Sequence, residues 1–205
     1  LRVAGPHVKL VSPPVHDLDV QTFLAIYGGA HGALAPLMTA VTLVGEGWSA
    51  LLLLPLIWSS RTRRFALLLT AAVASQAVLV WALKALTGRV RPWIALHLPA
   101  PVMTPHDFSF PSGHASGAFC LAAFLAVALP AAWPRAVWRV RVATASIFLY
   151  AGLVAASRVY LGAHFPGDVA AGSLLGGAIG LAAGLAYARR APAPMVEVEE
   201  AAESG

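Results

Sequence analysis

Three short stretches of the 205-residue chain carry residues whose types and spacing suit chemistry on an anion. In the first, Lys84 is followed seven positions on by Arg91-Pro92. Proline pushes the residue before it into extended backbone. Arg91 is therefore expected to project from the chain, and Lys84 with Arg91 suits a cluster of anionic oxygens. The second stretch is Pro111-Ser112-Gly113-His114, leading into an apolar run. Proline favours the first helical position. The amides of Ser112, Gly113 and His114 are then expected free in a first turn, where a helix N-terminus attracts anions. The Ser112 hydroxyl can add a bond there, Gly113 permits close approach, and His114 can donate a proton. The third stretch runs from Ser157-Arg158 to His164-Phe165-Pro166-Gly167-Asp168. Pro166 is a second helix start, placing Asp168 in the first turn and His164 just outside. A carboxylate four residues on can hold the imidazole in one tautomer and leave its other nitrogen as a nucleophile or base. Arg158 adds another fork for phosphate oxygens.

Each stretch alone also fits something plainer: cations snorkelling to lipid headgroups, an ordinary helix start, an interfacial histidine beside a capping aspartate. Together they bring three cations, helix-start amides, a proton donor and a His–Asp pair, and the ligand they imply is a phosphate group. A metal centre built from His97, His106, Asp107, His114, His164 and Asp168 is the competing arrangement. The chain has no HExxH, and Lys84, Arg91 and Arg158 would repel a metal cation while filling its role toward phosphate. Neither a metal nor another cofactor is expected. A Walker-type loop is also missing.

The elements that must position these residues are membrane helices. The chain is 59% hydrophobic and 11% charged, with a mean hydropathy of +0.74. Soluble domains carry roughly 25% charged residues, and disordered chains combine low hydrophobicity with high net charge. Both classes are excluded. The expectation is an all-α integral membrane bundle of about five or six transmembrane helices, at ~20 residues each. Residues 1–19 read as a proline-broken N-terminal arm, 20–190 as the transmembrane domain, and 191–205 as a disordered acidic tail. Val20–Val44 lacks charge but is broken by Gly28, Gly29, Gly32 and Pro36, so it either spans or lies in the interface. Trp48–Ser60, Phe65–Leu86, Ser112–Ala132, Val140–Ala156 and Gly167–Ala188 are the further spans. The last holds Gly172, Gly176, Gly177, Gly180 and Gly184, whose spacing allows close helix packing. Alternate connections hold Arg61, Arg63, Arg64, Arg135, Arg139, Arg141, Arg189 and Arg190, eight of the 14 Lys and Arg. The positive-inside rule places them in the cytoplasm, and the phosphate-binding stretches then face outward. The basic residues do not cluster as a nucleic-acid surface. The lone Cys120 forms no intrachain disulfide, and oligomeric state stays open. Twelve Arg against two Lys, with no Asn, point to a GC-rich bacterial genome.

With these residues in place, the chain resembles the type 2 phosphatidic acid phosphatase superfamily, the lipid phosphate phosphatases. That pattern is a Lys with Arg-Pro seven positions on, then Pro-Ser-Gly-His, then Ser-Arg with His and Asp. It is met by Lys84 and Arg91-Pro92, by Pro111 to His114, and by Ser157-Arg158, His164 and Asp168. The resemblance implies that His164 attacks phosphorus to form a phosphohistidine and that Asp168 holds its tautomer. It implies that His114 protonates the leaving oxygen and then activates water. Lys84, Arg91, Arg158, Ser112 and the Gly113 amide would bind the phosphoryl oxygens. It further implies a bacterial inner-membrane enzyme whose site faces the extracytoplasmic side. Its substrate would be a lipid phosphate or diphosphate of undecaprenyl diphosphate, phosphatidylglycerol phosphate or phosphatidic acid type. A lipid phosphotransferase would use the same site, and a non-catalytic lipid-binding or transport protein is a third possibility. The partly apolar Trp93–Phe108 loop and the adjacent helix faces are expected to admit a lipid sideways from the bilayer.

Overall fold

The structure is a computed structural model and describes residues 15–28, 32–44, 58–60, 62–101 and 107–190. Among the described residues the regular structure is helical: α1 (Val15–Ile26), α2 (Ala35–Val44), α3 (Arg63–Thr87), α4 (Pro92–Ala95), α5 (Gly113–Ala132), α6 (Val137–Tyr160) and α7 (Pro166–Ala188). Four segments among the described residues are long and apolar enough to cross a membrane: Arg63–Ala95, α5, α6 and α7. The chain is an all-helical membrane bundle.

The helix ends follow from local chemistry. At the end of α3, Gly88 adopts the left-handed conformation that glycine tolerates (φ 58°) and its N–H bonds the Lys84 carbonyl. Arg91 is extended before Pro92, as the proline requires. Ser112 caps α5, its side chain accepting from the Ala115 amide. Pro166 opens α7 at the expected position. Its third helical residue, Asp168, accepts through Oδ2 from the Phe165 amide at 2.9 Å, half of a capping box.

The α5–α7 pair is the centre of the bundle. Gly172, Gly176, Gly180 and Gly184 of α7 face the backbone carbonyls of Ser112, Ser116, Cys120 and Phe124 of α5. Both series advance by four, so the two helices run parallel and their backbones touch along four successive turns. A Cβ at Gly176 would collide with the Ser116 carbonyl, whereas one at Gly177 would meet nothing within 4 Å. The expected small-residue contact therefore uses four of the five glycines. Toward the far end of α7, buried Leu69, Phe124, Ala128 and Tyr187 form a cluster, with Phe65 edge-on to both Phe124 and Tyr187.

Several expectations change. Val20–Val44 is not one continuous helix. It holds most of α1 and all of α2, which have 12 and 10 residues. At 1.5 Å per residue each is about 15–18 Å long, short of a ~30 Å hydrocarbon core. Helix α1 also starts at Val15, inside the stretch expected to be an arm. Trp48–Ser60 falls outside the described residues except for its last three, as does the 191–205 tail. Helix α6 outruns Val140–Ala156 and carries Ser157 and Arg158 on its last turn.

Candidate active site

The ends of α3, α5, α6 and α7 converge on a cavity of about 430 Å³ whose walls include Lys84, Arg91, Gly113, His114, Arg158 and His164. Three stretches separated by some twenty to fifty residues are thus one site. Gly162, in a left-handed turn at φ 81°, lets the chain leave α6 and fold back. The amides of Ala163 and His164 both donate to the Arg158 carbonyl, at 3.0 and 3.2 Å. The same turn presents the Ala163 carbonyl to Arg91 Nη1 at 2.7 Å. Arg91 Nη1 also lies 3.2 Å from His164 Nε2. A guanidinium has only protons to offer, so Nε2 is the unprotonated nitrogen, its lone pair accepting from Arg91, and Nδ1 carries the hydrogen. Nδ1 faces Asp168 Oδ2 at 3.6 Å, a Coulombic contact beyond hydrogen-bond length.

His164 is 2% exposed and Asp168 is fully buried. Burial, then the positive charges of Arg91 and Arg158, push the His164 imidazole down to about 4, against the opposing pull of Asp168. The ring is therefore neutral at physiological pH, as a nucleophile must be.

Asp168 is held by residues that stand outside the three sequence stretches or carry no role within them. Arg89 Nη1 donates to Oδ1 at 2.6 Å, and the Ser109 hydroxyl donates to Oδ2 at 2.5 Å. The second Arg89 nitrogen reaches Asp19 Oδ2 at 2.6 Å, and Asp19 Oδ1 accepts from the Gly167 amide at 2.7 Å. Helix α1 thereby clamps the start of α7, and Phe23 packs edge-on against Phe165 in support. Helix α2 braces the site in a similar way, because Thr42 Oγ1 accepts from Arg158 Nη1 at 2.7 Å. Asp107 bridges the two cations of the first stretch, 2.7 Å from Lys84 Nζ and 2.5 Å from Arg91 Nη2. Burial raises the Asp107 carboxyl, but hydrogen bonds from Lys84 and Arg91 outweigh it and bring it down to about 2. The side chain of Gln76, two turns below Lys84 on α3, is buried in the cavity wall with its Oε1 unpartnered. Sequence signals for these residues are thin. Arg89 stands two places from Arg91, but nothing local joins Asp19, Thr42 or Gln76 to residues more than thirty positions away.

Ser112 departs from its expected place. Pro111 precedes the cap instead of opening the helix, and its peptide bond with Phe110 is cis. The Ser112 amide donates to the Asp168 carbonyl at 2.9 Å, so it is not a free first-turn donor. Its side chain is fully buried and engaged with the Ala115 amide. Gly113 and His114 alone bring this helix start into the cavity wall. The Trp93–Phe108 loop contributes Asp107 to that wall, while the apolar lining comes from Ala77, Val80 and Trp81 of α3; residues 102–106 lie outside the described residues, His106 among them. His97 is exposed and does not line the cavity. Among the described residues no group of three His, Cys, Asp or Glu is placed to hold a metal ion.

A second cavity, of about 610 Å³, lies at the opposite end of the bundle between Arg63, Arg64, Arg189 and Arg190. Arg64 donates to the Ala186 and Arg190 carbonyls there, capping the end of α7. The described residues lining this cavity include no His, Cys, Asp or Glu. The arginine-rich ends and the His–Asp site are thus on opposite ends of the helices.

Residues 65–191 match the PAP2 superfamily. The chain is 30% identical over 175 residues to an undecaprenyl-diphosphatase of Sulfolobus acidocaldarius, covering 83% of this chain and 79% of the relative. It is 33% identical over 147 residues to phosphatidylglycerophosphatase B of Bacillus subtilis, 70% of each chain. A shorter match, 40% identical over 70 residues, covers 34% of this chain and 27% of a lipid A 4′-phosphatase of Bacteroides thetaiotaomicron. The fold superposes on the crystal structure of a transmembrane PAP2-type phosphatidylglycerolphosphate phosphatase from Bacillus subtilis with a TM-score of 0.74 and 25% identity, over 90% of both chains. With the match to more than half the chain, the shared membrane fold and relatives that are phosphatases, the chain belongs to the PAP2 superfamily and is a multi-pass membrane phosphatase of that type.

Proposed function

We propose that the cavity hydrolyses a lipid phosphate or diphosphate through a phosphohistidine on His164. The observation that carries this is the orientation of that ring. Nε2 is unprotonated and accepts from Arg91, a contact that yields as the phosphoryl group takes up the guanidinium, and Nδ1–H is turned to Asp168. In the first step the Nε2 lone pair bonds to phosphorus and the P–O bond to the lipid breaks. His114 gives its proton to the departing oxygen. Asp168 stabilises the positive ring. In the second step His114 takes a proton from water, the oxygen bonds to phosphorus, and the N–P bond breaks to release inorganic phosphate.

Lys84, Arg91, Arg158 and the Gly113 amide hold the phosphoryl oxygens and gain most as negative charge builds in the transition state. Ser112 serves this set by fixing the helix start that carries Gly113 and His114. Apolar Ala77, Val80 and Trp81 beside Lys84 receive the first part of the lipid tail from the bilayer. The arginine-rich opposite end supports a bacterial inner-membrane orientation with the site extracytoplasmic.

The test uses the whole chain in detergent micelles with polyprenyl diphosphate, phosphatidylglycerol phosphate and phosphatidic acid. Phosphate release resistant to EDTA is expected from at least one, and the panel ranks the substrates. His164→Ala is expected to lose at least a thousandfold in kcat, on the order seen when a nucleophile is removed. Undiminished turnover by His164→Ala would remove it as nucleophile. Labelled phosphate appearing on an added lipid alcohol instead of in solution would turn hydrolysis into transfer.

A further inference from the structure

The cations that line the cavity are not all open to a substrate. The Asp107 carboxylate, with 56% of its side chain exposed, sits 2.7 Å from Lys84 Nζ and 2.5 Å from Arg91 Nη2. Its backbone carbonyl takes the Arg91 Nε proton as well, at 2.8 Å. Arg91 is bound on its other side to the Ala163 carbonyl and faces His164 Nε2. A phosphoryl group in line with Nε2 needs the outward Arg91 nitrogen and the Lys84 ammonium, and these are the two groups that Asp107 holds. Two neighbouring carboxylate oxygens on Lys and Arg also resemble two phosphate oxygens on the same pair.

Resting on the phosphatase reading, we propose that Asp107 is an internal anion that competes with phosphate for Lys84 and Arg91, swinging aside when the substrate binds and returning to expel the inorganic phosphate product. Its exposure makes this exchange feasible. Asp168, the other carboxylate of the site, is fully buried and held by Arg89, Ser109 and the Phe165 amide, so it stays in place while Asp107 moves. Arg89 is committed to Asp168 and Asp19. Asp107 is thus the carboxylate whose displacement releases cations to the ligand. Its carboxyl stays ionised throughout the working range, so the competitor does not switch off with pH.

The experiment compares the wild-type chain with Asp107→Asn and Asp107→Ser in detergent, using inorganic phosphate and orthovanadate as probes. Each anion is followed as an inhibitor of lipid phosphate hydrolysis and directly, by its effect on thermal unfolding. Removing the competing charge is expected to tighten both anions about five- to tenfold, the scale of two partly exposed ion pairs. KM for the lipid phosphate is expected to fall, and kcat to fall with it where product release limits turnover. Asp107→Glu is expected to keep the wild-type anion affinity. A residue that only orients Lys84 and Arg91 behaves oppositely: its loss weakens anion binding and raises KM. Unchanged or weaker binding in both neutral variants overturns the proposal. The direct binding measurement stands even where no lipid is hydrolysed. A wild-type chain that binds phosphate without turnover counts against the phosphatase reading alone, and the comparison of variants still decides the role of Asp107.

Discussion

The His164 imidazole and the Asp168 carboxylate lie 3.6 Å apart, and their neighbours decide how each behaves. His164 is held at about 4, below its ordinary value of 6.5. In the proposed mechanism neutral imidazole is the attacking form, so kcat/KM is expected to hold down to pH 5 and fall only as pH drops through about 4. A pH–rate profile in which the limb due to His164 remains at 6.5 would contradict this. The linkage has the same sign for stability. Between 6.5 and about 4 the unfolded chain binds the proton that the folded site refuses, so stability declines as pH falls through that window. Arg89 is the second residue-scale case. It neutralises a buried carboxylate and lies over the Phe165 ring at 4.5 Å. Arg89→Met is expected to cost about 1–3 kcal/mol, below the 3–5 typical of a severed buried pair, because Asp168 keeps Ser109 and the Phe165 amide. Thermal unfolding and kcat, measured together, check it; activity should fall by at least tenfold, with Arg89→Lys restoring part. An Arg89→Met variant with wild-type turnover and melting would leave Arg89 no positioning role.

At the scale of elements, the α5–α7 contact sets where His114 and Asp168 stand. One helix carries His114 and the other Asp168, and the Ser112 amide joins them through the Asp168 carbonyl. Gly176 and its neighbour Gly177 provide an internal comparison. Gly176→Ala forces a Cβ against the Ser116 backbone, and overpacking of this kind costs roughly 1–3 kcal/mol; both melting temperature and activity are expected to fall. Gly177→Ala has open space and is expected to be neutral or slightly stabilising. Equal melting of the two variants would mean that the helices do not touch there. The short helices α1 and α2 matter at this scale too. A reading of hydropathy sees an uncharged segment between Val20 and Val44. The structure uses it to deliver Phe23 and Thr42, and α1 adds Asp19, to residues on α6, α7 and the loop before α4.

For the whole molecule, alternating helix direction gathers the site at one end and the arginines at the other. Substituted cysteines test which end faces out, because native Cys120 is buried and forms a quiet background. Phe108→Cys is at the site end and Ser60→Cys at the arginine end, and both positions are exposed. A membrane-impermeant maleimide applied to intact cells is expected to label Phe108→Cys and spare Ser60→Cys. The reverse pattern would place the site in the cytoplasm. By itself the sequence determined the membrane class, the four long helices to within a few residues and the eight residues proposed for chemistry. These are written in local terms: apolar run length, proline and glycine punctuation, and fixed spacing between polar groups. Only the tertiary structure decided that Ser112 ties two helices together, that Arg89 and Ser109 hold Asp168 while Asp19 braces Arg89, and that Asp107 sits on Lys84 and Arg91. Such roles are distances between residues far apart in the chain. A polar side chain near the bilayer must find a partner wherever packing puts one, so the fold, and not the neighbouring sequence, chooses it.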